Sequence, residues 1–115
     1  MFNNILVALD GSKHALKAAR LAGKLAVNTQ ADLWVVVAYD PLPDYLGQSL
    51  LEEIIVKRLK LAEEILEAGL QEIGQIPGTL RKEILEGPAA EAILAVAETR
   101  GIDLIIMGTR GLGGL

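Results

Sequence analysis

Asn4-Ile5-Leu6-Val7-Ala8-Leu9-Asp10-Gly11-Ser12 is a short apolar run that stops on turn residues. A run with no polar alternation has no face to give to water, so it reads as a strand covered on both sides. Ser12 stands where a helix should begin, with a hydroxyl able to accept from the unpaired amides of the next turn. From Lys13 to about Thr29 the pattern is helical. Leu16, Ala19, Leu21, Ala22, Leu25 and Ala26 form the apolar stripe, and Lys13, Lys17, Arg20 and Lys24 lie on the other face. The alanines point to a close approach between this helix and a sheet. A doubly covered strand feeding directly into a helix is the opening unit of an α/β domain.

The same alternation continues outward. Asp32–Ala38 is a second strand, with Leu33, Trp34 and three consecutive valines. Tyr39–Gly47 contains two prolines and reads as a loop, long for a strand-to-helix connection. A long helix runs from about Gln48 to Ile73, apolar at Leu51, Ile54, Ile55, Leu59, Ala62, Ile65, Leu66, Gly69, Leu70 and Ile73. Thr79–Leu85 alternates more than the earlier strands, which predicts a half-exposed strand near a sheet edge. Gly87-Pro88 opens a third helix, with proline expected at its first position, and Ala89–Thr99 continues it to a left-handed cap at Gly101. Asp103–Met107 is a fourth strand. The order β-α-β-α-β-α-β predicts an open parallel sheet with right-handed crossovers, in a three-layer, Rossmann-like arrangement.

Composition narrows the function. The 115 residues suit a single domain, and 51% hydrophobic content is enough to build a core. Net charge is −4, which argues against nucleic acid as a partner. There are no cysteines, so disulfides, thiolate metal sites and thiol catalysis are excluded. The start of the chain lacks the basic region of a signal peptide, and no apolar run approaches the roughly 18 residues of a membrane helix. A cytoplasmic setting without a membrane partner is therefore expected.

In open parallel sheets, ligands bind beyond the carboxyl ends of the strands, where strand order reverses. Those ends carry Asp10-Gly11-Ser12, Tyr39-Asp40, Glu86-Gly87 and Gly108-Thr109-Arg110-Gly111. Glycines let the backbone approach a ligand and turn amides toward phosphate oxygens. Arg110 can add a planar charge, and Asp10 can accept from a ribose hydroxyl or a base amine. Asp-Gly-Ser is equally a turn and cap, and a glycine-rich end is equally a plain tail. The two occurring at neighbouring strands favour a nucleotide site. The P-loop signature is absent, as is Gly-x-Gly-x-x-Gly after the first strand. His14 is the only histidine, so a Ser-His-Asp triad lacks parts.

Four segments resemble the universal stress protein family: Ile5–Ser12 leading into an alanine-rich helix, Val35–Asp40, Glu86-Gly87-Pro88-Ala89, and Asp103–Gly111. The last is the most specific. ATP-binding members of that family carry Gly-x2-Gly-x9-Gly-[Ser/Thr] after the fourth strand, and Gly108 and Gly111 match its first half. The resemblance implies an adenine-nucleotide-binding fold with sheet order 3-2-1-4-5. It implies that base and ribose lie near Ala8, Leu9 and Asp10, that adenine is held by the backbone at Ala38, and that Met107, Gly108, Arg110 and Gly111 wrap ribose and phosphates. The expected ligand is ATP, or AMP or ADP, with magnesium on the phosphates. The expected assembly is a homodimer, and the expected role is that of a sensor or regulatory module rather than an enzyme. The sequence ends at Leu115, inside the glycine motif, so the expected order here is 3-2-1-4 with the fifth strand missing from this chain. The rival expectation is a stress-family protein that binds no nucleotide and acts through dimerisation and partner binding.

Overall fold

The computed structural model describes residues 2–43 and 45–108. Seven elements alternate: β1 (Asn4–Leu9), α1 (Lys13–Thr29), β2 (Asp32–Tyr39), α2 (Gln48–Ile73), β3 (Leu80–Glu86), α3 (Ala89–Thr99) and β4 (Leu104–Met107). The four strands are parallel and ordered β3-β2-β1-β4. The chain moves outward from β1 to β2 to β3, then crosses back to the other side of β1. Strand order therefore reverses at β1, the position where this architecture leaves a crevice.

Alternation along the central strands splits the core in two. Ile5, Val7 and Leu9 of β1 join Leu33, Val35 and Val37 of β2 beneath α1 and α2. Leu6, Ala8, Trp34 and Val36 face the other way and pack with Ile93 of α3. Each fully buried Val, Leu or Ile side chain contributes roughly 2 kcal/mol through lost contact with water. β3 is an edge strand, as its alternation predicts, with Leu80 and Ile84 turned to the α1–α2 layer and Leu85 to α3.

Some details differ from the sequence reading. The buried face of α1 is Ala15, Ala18, Ala19, Ala22, Gly23 and Ala26, so this helix sits on the sheet through its smallest residues. Leu21, expected in the stripe, is 50% exposed. α2 is buried only at Ala62, Leu66, Gly69 and Ile73. Its amino-terminal half runs past the sheet, which leaves Ile55 and Leu59 exposed despite their correct helical spacing. Pro88 caps α3 rather than occupying its first turn, while Ser12 caps α1 as expected, its Oγ accepting from the Ala15 amide at 3.1 Å. α1 ends on Gln30, a side-chain-bearing residue at φ 60°.

At the amino edge of the sheet, Asp103 fastens the strands together. Its Oδ2 accepts from the amides of Asn3 and Asn4, both at 2.8 Å. These two bonds hold its carboxyl below the usual aspartate range.

Candidate functional site

The carboxyl edge is built by three strand ends. In register, Ala8 of β1 lies beside Val36 of β2 and Met107 of β4, and Leu9 lies beside Val37. Asp10 follows β1 directly. Its Oδ1 accepts from the Ser12 amide at 2.8 Å, a tight turn made possible by Gly11 at φ 85°. The carboxylate is thus held at the strand end while remaining exposed.

Asp10 and Ala38 meet in one cavity of about 240 Å³, completed by Val37, Tyr39, Arg58, Leu61, Ala62 and Ile65. Its walls are apolar apart from a carboxylate, a phenol and a guanidinium. That is the usual make-up of a small-molecule site: a hydrophobic slot with few polar groups to orient the ligand. Leu9 lines an adjoining hollow of about 190 Å³ with Gly11, Ser12 and Leu16, and Leu61 and Ile65 form the ridge between the two.

Arg58 and Tyr39 line this cavity but were not among the candidate ligand-binding residues of the sequence. The Arg58 guanidinium lies over the Tyr39 ring, 5.3 Å from its centroid, and an Nη1–H donates to the Asp40 carbonyl. This ties α2 to the start of the loop after β2 and walls one side of the cavity. The only sequence signal was an arginine on a helix that follows a loop after a strand-ending tyrosine, which specifies no partner.

The other expected residues are distributed differently. Ala8 packs its methyl into the α3-side core, so only its backbone belongs to the carboxyl edge. Met107 and Gly108 line a separate hollow of about 250 Å³ against α1, with His14, Lys17 and Leu21. Gly108 runs so close to the first turn of α1 that any β-carbon there would collide with the His14 backbone. The glycine that the resemblance assigns to a phosphate loop is here required by packing. Arg110 and Gly111 lie outside the described residues.

A model of the universal stress protein family matches residues 1–115 of this sequence, its whole length. The chain belongs to the universal stress protein family. A family protein of Thermus aquaticus, from the 3′ region of a QAH/OAS sulfhydrylase, is 45% identical over 115 residues, covering 98% of this chain and 81% of that one. The structure of universal stress protein UspA from Lactobacillus plantarum superposes with a TM-score of 0.78 at 26% identity, covering 95% of this chain and 80% of that one. Two more distant family structures share the fold. One is a complex with cAMP, with a TM-score of 0.60 at 21% identity and coverage of 91% and 75%. The other, from Arabidopsis thaliana, has AMP bound, with a TM-score of 0.65 at 15% identity and coverage of 96% and 79%. Among the described residues, no helix of this family member is long and apolar enough to cross a membrane.

Proposed function

We propose that this universal stress protein domain binds an adenine nucleotide at the carboxyl edge of its sheet and acts as a sensor or regulatory module. The observation that carries this reading is the cavity joining Asp10 to Ala38 at the strand where sheet order reverses. We place the flat base between the Val37–Ala38 strand end and the apolar side chains of Leu61, Ala62 and Ile65. Asp10 is in position to accept from a ribose hydroxyl or the exocyclic amine. Met107 and Gly108 then lead toward the phosphates, with Arg110 and Gly111 assigned there by the family motif. The cAMP and AMP complexes of fold relatives support the ligand class; ATP remains our choice from the glycine motif.

We read the site as a binding site without catalysis, because none of these residues supplies a paired nucleophile and base. Among the described residues, no three His, Asp or Glu side chains cluster to hold a metal, so magnesium would be held mainly by the phosphates. The working unit we propose is a cytoplasmic homodimer. The deciding experiment is mass spectrometry of nucleotides released from protein purified without added ligand, followed by calorimetry with ATP, ADP, AMP and cAMP. Co-purified or micromolar adenine nucleotide is expected. Absence of binding by all four would favour the rival reading, a family member acting through dimerisation alone.

A further inference from the structure

Trp34 is the third residue of β2, on the face that carries α3. It is 8% exposed, and its Nε1–H is buried without an acceptor among the described residues. A buried donor left unpaired costs about 1–3 kcal/mol, so natural structures rarely keep one without a reason. Directly across from Trp34 in register is Arg81 of β3. Its guanidinium lies over the indole, 5.6 Å from the ring centroid, and it forms no ion pair among the described residues. Arg100, at the end of α3, reaches the same place and is paired with Glu83, its Nη2 3.0 Å and its Nε 3.2 Å from Oε1. Together with Lys82 these residues line an open hollow of about 430 Å³.

Two guanidinium side chains meet one carboxylate in this hollow, on a protein whose net charge is −4. Charged residues on an edge strand also deter strand pairing, and that alone would account for Lys82. It does not account for an arginine over a buried indole, a second arginine brought in from another element, and an N–H with no partner. We infer that the hollow is a binding site for a small phosphate-type oxyanion, gripped by Arg81 and Arg100. Arg81 is drawn from the indole face toward the anion, Glu83 shares Arg100 with it, and the movement opens Nε1–H to an acceptor. Guanidinium forks match the geometry of phosphate oxygens. The site lies toward the amino edge of the sheet. Trp34 and Ala38 are four steps apart along β2, roughly 13 Å of strand, so the site is distinct from the nucleotide cavity and independent of that proposal.

Trp34 is the only tryptophan, which makes it a built-in reporter. The test is titration with inorganic phosphate and pyrophosphate, followed by Trp34 emission and calorimetry, against sodium chloride at matched ionic strength. A saturable emission change with one-to-one heat is expected, weakened about tenfold or more by R81Q and by R100Q. Both positions are exposed, so these variants should fold. W34F, read by calorimetry, should retain binding at reduced affinity. Parallel titration with ribose 5-phosphate separates two sources: equal affinity marks a free oxyanion, and tenfold tighter binding marks a sugar phosphate. An emission change reproduced by chloride alone, or binding unaltered in R81Q and R100Q, overturns the assignment.

Discussion

Gly23 lies where α1 crosses the end of α2, and a β-carbon there would stand 2.6 Å from the Ile73 carbonyl oxygen. Glycine inside a helix costs about 1 kcal/mol relative to alanine. Gly23→Ala should therefore help the isolated helix yet harm the protein, because the contact is with backbone that cannot rotate away. We expect a net loss of about 1–3 kcal/mol. Urea unfolding would check it, and a raised midpoint would contradict it. At the site, Asp10→Ala should weaken nucleotide binding about tenfold, the scale of one lost charge-assisted hydrogen bond; calorimetry at unchanged affinity would remove Asp10 from the site. Asp103 makes a pH prediction. Its folded-state pKa lies below its ordinary value, so its charge contributes stability above the ordinary aspartate pKa, and that contribution is lost as pH falls through the lowered one. Asp103→Asn should thus be less stable than the parent at neutral pH, and the gap should close in acid. An equal gap at pH 7 and pH 2 would mean that charge is not the cause. The Asp10 turn and the close approach at Gly108 were legible in the sequence because turn chemistry and glycine spacing are local. Arg58 was not, since its tie to Asp40 spans 18 residues and depends on where α2 lands.

At the scale of elements, every helix and strand was legible, because hydrophobic period and punctuation by Gly, Pro and Ser agreed along the chain. What periodicity cannot report is where the sheet stops. Ile55 and Leu59 carry the right spacing but have no strand beneath them. The overhanging half of α2 is therefore held mainly by helical hydrogen bonds and by Arg58. Its amides from about 50 to 58 should exchange with solvent markedly faster than those from 62 to 73. Nucleotide should slow them if the cavity wall closes on the ligand. Uniform protection along α2 in the ligand-free protein would show that the overhang has a partner. Leu21 fails for a related reason: α1 lies so close to the sheet, through alanines and Gly23, that a leucine on its flank is left outside.

For the whole molecule, the sheet has two edges of unlike character. β3 is guarded by Arg81, Lys82 and Glu83, whereas β4 is Leu104-Ile105-Ile106-Met107. Among the described residues no strand lies on the outer side of β4, and an uncovered apolar edge invites pairing with another chain. We expect the 115-residue chain to self-associate through the β4 side, as a two-fold pair. Sedimentation equilibrium at micromolar concentration is the measurement, and a clean 12.3 kDa species would refute it.

Asp103 fastens the start of β1 to the start of β4, so Phe2 and Asn3 lie at the pole opposite the cavity proposed for the nucleotide. A biotin or a short peptide handle placed ahead of Phe2 would anchor the protein to a sensor chip with the carboxyl edge turned to the flowing solution. Immobilised protein should then report the same nucleotide affinity as protein free in solution.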